Sequence, residues 1–126
     1  PYKRHLWKVP VPQTSGFNPT NLYAFRGTFH SHPTRKKMCR ALAKSGEGVC
    51  AELRKAFHSH DETDQQRYIE EIRTAEFSFC PRGLSPSSYR LYESMQLGRC
   101  PVIISDDWLA PAGPHWNEFA IFVDQI

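Results

Sequence analysis

Two rhythms of apolar residues alternate along the chain. Short runs rich in aromatic and β-branched side chains, Leu22–Phe25, Glu76–Cys80, Pro101–Ser105 and Phe119–Val123, predict strands. Between them apolar residues recur every three or four positions. Arg35–Lys44 places Met38 and Leu42 on one side, with Thr34 as the expected N-cap and Gly46 and Gly48 beyond its end. Gln65–Ala75 sets Tyr68, Ile69 and Ile72 opposite Glu70, Glu71 and Arg73. A third helix is predicted from Tyr89 to Leu97, entered through Ser85-Pro86-Ser87-Ser88 and closed by Gly98. Val49–Phe57 fits a short helix or a variable excursion. Residues 1–21, broken by Pro1, Pro10, Pro12 and Pro19, read as extended chain with a short strand at His5–Val9.

Strands alternating with helices predict an α/β fold, a Rossmann-like parallel sheet with crossover helices. Val102-Ile103-Ile104 is unbroken apolar sequence, as expected of a strand covered on both faces. A length of 126 residues fits one domain. The sequence starts at Pro1 and stops at Ile126, where another helix is expected, so it reads as a piece of a longer protein.

Charge and cysteines narrow the function classes. Lys and Arg number 16 against 13 Asp and Glu, a balance that argues against duplex nucleic acid as partner and leaves room for a local anionic ligand. A basic cluster at Arg35, Lys36, Lys37 and Arg40 allows an acidic polysaccharide as one such partner. None of Cys39, Cys50, Cys80 and Cys100 forms a CxxC, which excludes a zinc ribbon or a thioredoxin-like site. Cys80 and Cys100 read as small buried hydrophobes; Cys39 and Cys50 are able to pair, but spacing does not decide it. Phe29-His30-Ser31-His32 recurs as Phe57-His58-Ser59-His60, which reads as two exposed loops rather than a metal site.

The chemistry concentrates in Phe79-Cys80-Pro81-Arg82-Gly83 and the helix behind it. A strand ends, glycine lets the backbone turn, and serines lead into a helix N-terminus. That end of a helix presents unpaired N–H groups and a partial positive charge, which suit a phosphate or diphosphate. Arg90 and Glu93, three residues apart, share a helix face. Arg90 offers a planar donor fork for phosphate and Glu93 two acceptors for ribose hydroxyls; the alternative for the pair is an exposed salt bridge with Ser87 or Ser88 merely capping.

These residues carry a resemblance. Ser78-Phe79-Cys80, Pro81-Arg82-Gly83, Ser88-Tyr89-Arg90, Glu93, Gly98, Pro101–Ser105, Trp108-Leu109 and His115–Phe119 resemble the C-terminal half of the exostosin family of glycosyltransferases. Phe25-Arg26-Gly27, Arg35 and Val9-Pro10-Val11-Pro12 extend the similarity upstream; Arg99-Cys100 departs from the family's pattern and Ser45–His60 has no counterpart. The resemblance implies a GT-B architecture whose C-terminal half binds a nucleotide sugar, usually a UDP-sugar, and an inverting transfer to a glycan or polysaccharide acceptor without an essential metal. Residues 1–126 are then the nucleotide-sugar-binding domain, expected to lack the N-terminal acceptor half. The implied donor ligands are Arg26, Arg35, Ser87, Ser88, Arg90 and Glu93. The base is expected from the N-terminal half, so no catalytic residue is named. Asp106 and Asp107 are local candidates for a donor-sugar contact, and Trp116 for a cleft wall or a core position. A Golgi lumen follows from the resemblance, or the cytoplasm for a viral or bacterial member. The alternative function is a non-catalytic Rossmann-like module that binds a nucleotide or a partner chain.

Overall fold

Large and small side chains alternate along the strands, and this sorts the two faces of the sheet. The computed structural model describes residues 18–53 and 62–125. They contain β1 (Asn21–Gly27), α1 (Pro33–Leu42), β2 (Gly48–Glu52), α2 (Glu62–Arg73), β3 (Ala75–Pro81), α3 (Tyr89–Gln96), β4 (Cys100–Ile104), a 3-10 turn at Trp116–Glu118 and β5 (Ile121–Val123). The five strands form one parallel sheet in the order β2-β1-β3-β4-β5, the Rossmann-like α/β architecture that the alternation predicts.

On one face Phe25, Val102 and Ile104 pack with Met38 and Cys39 of α1, joined by the partly buried Phe77, Phe79 and Leu42. Tyr23 and Phe79 stack on this side, ring centroids 5.3 Å apart. Side chains of period two put Cys80 and Ile103 on the other face, against Leu91, Trp116 and Ala120. There Ala24 and Ser78 are small and fully buried, so α2 and α3 lie close to the sheet.

Three local readings change. Val49–Phe57 is neither helix nor excursion at its start: Gly48–Glu52 is β2, paired in parallel with Tyr23–Gly27. Gly48 opens it because a Cβ there would lie 2.2 Å from the Tyr23 carbonyl oxygen. Helix α1 begins before Thr34: His32 is the N-cap, its Nδ1 accepting from the Thr34 N–H at 3.2 Å, and Pro33 takes the first-turn position that needs no donor. The last strand starts at Ile121, because Trp116–Glu118 first winds into a 3-10 turn. The strand predicted at His5–Val9 lies outside the described residues.

Cys39 and Cys50 are joined by a disulfide that ties α1 to β2. Cys80 is buried as expected, and burial pushes its thiol up to about 11; Cys100 is only partly buried. None of the described helices is long and apolar enough to cross a membrane.

Candidate functional site

The sheet order reverses between β1 and β3, and there the strands part. Their pairing stops at Ala24–Ser78, while β1 runs on to Gly27 beside β2 and β3 to Pro81 beside β4. A crevice outside the carboxyl ends of the strands at such a switch point is where open α/β sheets bind ligands. Two arginines span it. Arg90 donates from Nε to the Phe79 carbonyl at 2.8 Å and from Nη2 to the Ala24 carbonyl at 2.7 Å, one bond to each diverging strand. Farther out, Arg35 donates from Nε to the Arg82 carbonyl at 2.9 Å and from Nη1 to the Thr28 carbonyl at 3.1 Å. The Phe25 ring lies between them, its centroid 5.4 Å from Arg90 Cζ and 5.6 Å from Arg35 Cζ. Glycine makes room for the outer arginine: a Cβ on Gly83 would come within 2.8 Å of Arg35 Nη2, and one on Gly27 within 3.3 Å of Nη1.

Helix α3 starts at the mouth of this crevice. Ser88 caps it, its Oγ accepting from the Arg90 N–H at 3.2 Å. Ser85 and Ser87 form the turn before it: Ser85 Oγ accepts from the Ser87 N–H at 3.1 Å and donates to the Ser87 carbonyl at 3.0 Å. Arg90 and Glu93 lie on the inner face of α3, each 5% exposed, which removes the exposed-pair alternative. Tyr68 of α2 covers them both. Its hydroxyl donates to Glu93 Oε2 and its ring lies 5.1 Å from Arg90 Cζ. Burial raises the Tyr68 hydroxyl well above its ordinary pKa; Arg90 opposes this and Glu93 adds to it. Tyr68 therefore remains a donor throughout the neutral range. Among the described residues Arg90 Nη1 is buried with no hydrogen-bond partner.

The other expected residues are dispersed. Arg26, at the end of β1, is held by Glu71 of α2 through Nε at 2.9 and 3.1 Å and Nη2 at 2.7 Å. That hydrogen bonding holds its guanidinium above the ordinary value, with burial opposing. Arg82 pairs with Asp107 at 2.9 Å. Asp107 also lines a shallow cleft of about 260 Å³ with Ser85, Pro86, Ser87, Tyr92, Trp108 and Leu109. Asp106 instead exchanges two hydrogen bonds with Gln125. Trp116 is a core residue: it is 7% exposed, meets Trp108 edge-on at 5.0 Å, and donates from Nε1 to the Pro111 carbonyl at 3.0 Å. His32 serves as a cap, and His58 and His60 lie outside the described residues.

The crevice thus brings together Arg35, Arg90, Glu93 and the Ser87–Ser88 helix entry, with Arg26 engaged by Glu71. Cationic groups and a helix N-terminus on the same element as a carboxylate suit a ligand that carries both anionic and hydroxyl groups. Sequence reasoning missed Tyr68, because its helical spacing with Ile69 and Ile72 marks only an apolar side.

Residues 12–125 match the Exostosin GT47 domain. The chain is 43% identical over 60 residues to the probable glucuronosyltransferase GUT1 of Oryza sativa subsp. japonica, covering 46% of this chain and 14% of that protein. It is 38% identical over 66 residues to the exostosin-1 homolog of Caenorhabditis elegans, covering 51% and 17%. With the probable beta-1,4-xylosyltransferase IRX10L of Arabidopsis thaliana it shares 40% identity over 60 residues, covering 46% and 14%. The matches therefore span 14% to 17% of these relatives' lengths.

Proposed function

The chain belongs to the exostosin GT47 family, and on that premise we propose that it is the donor-nucleotide-binding half of an inverting, UDP-sugar-dependent glycosyltransferase of GT-B architecture. The observation that carries this is the split between β1 and β3, spanned by Arg90 and Arg35 beside the capped N-terminus of α3. A departing nucleoside diphosphate accumulates negative charge. Preorganised donors aimed at that charge lower the barrier because they need not reorient as it develops. The partial positive charge at the N-terminus of α3 and the guanidinium of Arg35 serve the diphosphate, with Arg90 behind them. Glu93 takes the ribose hydroxyls. Arg26 acts with these groups only once Glu71 yields it. The donors supply the positive charge, so the reaction runs without an essential metal. The base and the glycan acceptor come from an N-terminal half.

The names of the relatives favour glucuronosyl or xylosyl transfer. The Cys39–Cys50 bridge supports an oxidising compartment such as the Golgi lumen.

Calorimetric titration of wild type, Glu93→Gln and Arg90→Lys with UDP and with pyrophosphate tests the reading, with thermal melts as a control for folding. Loss of a hydrogen-bonding charge at Glu93 should weaken UDP by roughly ten- to a hundredfold, since such bonds contribute about 1.5–3 kcal/mol, and leave pyrophosphate nearly unchanged. Arg90→Lys should weaken both. UDP binding should survive EDTA. Equal losses for the two ligands in Glu93→Gln would refute the ribose assignment, and manganese-dependent binding would refute the metal-free one.

A further inference from the structure

The Arg90–Glu93 pair is not set by α3 alone. Arg90 is clamped in plane by two strand carbonyls and flanked by Phe25 on one side and Tyr68 on another. Glu93 receives the Tyr68 hydroxyl. One side chain of α2 therefore touches both polar groups that α3 brings to the crevice, through two chemically separate contacts. The ring contacts the cation and the hydroxyl contacts the anion. Tyr68 is set in place by its own helix, because Ile72, one turn later, is fully buried beneath α2.

We propose that Tyr68 is a positioning residue of the nucleotide site, its hydroxyl orienting Glu93 toward ribose and its ring holding the Arg90 guanidinium for the diphosphate side. The proposal rests on the nucleotide-binding reading above. A carboxylate has two oxygens and about four lone-pair positions, so a donor fixed on Oε2 sets the carboxylate plane and still leaves acceptor capacity for a diol. Without that donor, Glu93 loses one of the contacts that fix its last torsion, which is broad and two-fold rather than staggered. Ordering it then falls to the ligand and weakens binding. The ring acts differently. A cation over an aromatic face is attracted by the ring quadrupole, most strongly where water is excluded, and Arg90 is 5% exposed.

The two contacts can be removed one at a time. Tyr68→Phe keeps the ring and deletes the donor; Tyr68→Leu deletes both. The full chain carrying each change is titrated with UDP and with pyrophosphate beside wild type and Glu93→Gln, with melts recorded for all four proteins. Tyr68→Phe should weaken UDP roughly three- to tenfold and leave pyrophosphate within about twofold of wild type, because only the hydroxyl acting through a charged partner is lost. Tyr68→Leu should weaken both ligands. A purely structural role lowers stability and weakens the two ligands together, so a parallel loss in Tyr68→Phe overturns the proposal. It is equally overturned if Glu93→Gln loses UDP and Tyr68→Phe binds UDP as wild type does. If wild type binds no UDP, or Glu93→Gln binds it normally, the nucleotide reading itself fails and this inference falls with it. Should Tyr68→Leu fail to fold, the UDP-to-pyrophosphate ratio in Tyr68→Phe alone still decides.

Discussion

Breaking the Cys39–Cys50 bridge should loosen the outer arginine as well as destabilise the fold. The bridge closes a segment with a sequence separation of 11. In the chain-entropy account, constraining a loop of that size in the unfolded state stabilises the native state by about 3 kcal/mol. For a chain of 126 residues this corresponds to a melting shift on the order of 10 °C. The figure is large beside the other attachments of α1. The helix has ten residues, too few to be stable alone in water, and it buries only Thr34, Met38 and Cys39. Its first turn carries Arg35, whose guanidinium joins the Thr28 and Arg82 carbonyls across the crevice. Cys50→Ser and reduced wild type should therefore melt lower by similar amounts. At temperatures where both remain folded, they should bind pyrophosphate several-fold more weakly than oxidised wild type. Melts with and without reductant, paired with pyrophosphate calorimetry, measure the two effects. A reductant shift under about 3 °C would refute the entropic estimate. A full shift with unchanged pyrophosphate affinity would refute the coupling through α1.

Two other expectations follow from single side chains. Trp116→Phe removes the Nε1 hydrogen bond to the Pro111 carbonyl and the edge-on contact with Trp108, so it should cost about 1–3 kcal/mol in denaturant unfolding. It should leave UDP affinity unchanged; lost affinity with intact stability would make Trp116 a cleft wall after all. Alkaline pH should also destabilise the fold. Cys80 is raised from 9.0 to about 11 and Tyr68 is raised well above 10.0. Both shifts favour the protonated native state, so the stability they contribute is present below pH 9 and is lost as pH rises from 9 through 11 and beyond. Unfolding curves across that range should fall by on the order of 2 kcal/mol from Cys80, and Cys80→Ala should remove that part of the fall beginning near pH 9, leaving the share from Cys100, which burial also raises from 9.0. A Cys80→Ala curve that superposes on wild type would refute this assignment.

What the sequence discloses follows from how far each signal reaches. Periods of two and of 3.6 are local, so β1, β3, β4 and the three helices can be read along the chain to within a few residues. Strand β2 escapes because Gly-Val-Cys-Ala-Glu is short and lies at the sheet edge, where every residue is only half-buried and no alternation is imposed. The disulfide escapes because the 5.3 Å between its Cα atoms is created by the β1–α1–β2 path and not by spacing. The site divides in the same way. That Arg90 and Glu93 share a face and that Ser88 caps their helix are helix properties, visible at once. That Tyr68 meets both of them, and that Glu71 engages Arg26, depends on partners 25 and 45 residues away in sequence. No short-range pattern carries such information.

The arginines at the split hold the sheet together at the place where they would hold a ligand. Where β1 and β3 part, carbonyls of the diverging chain lose strand partners, and buried carbonyls need donors. Arg90 satisfies Ala24 and Phe79, and Arg35 satisfies Thr28 and Arg82. The same bonds fix both guanidinium planes before any anion arrives, which preorganises the site and makes it inseparable from the fold. Loss of binding on removing either arginine is therefore ambiguous by itself, because truncation also strands two carbonyls. What discriminates is how a substitution divides its effect between UDP and pyrophosphate, two ligands that share a diphosphate and differ in the nucleoside. Arg35 and Arg90 should shift the two together and Glu93 should separate them. Tyr68 should do either, according to whether its hydroxyl alone or its whole ring is removed. The separation of the two ligands at Glu93 and at the Tyr68 hydroxyl follows from the geometry of contacts, and a general loss of stability, which weakens both together, cannot imitate it.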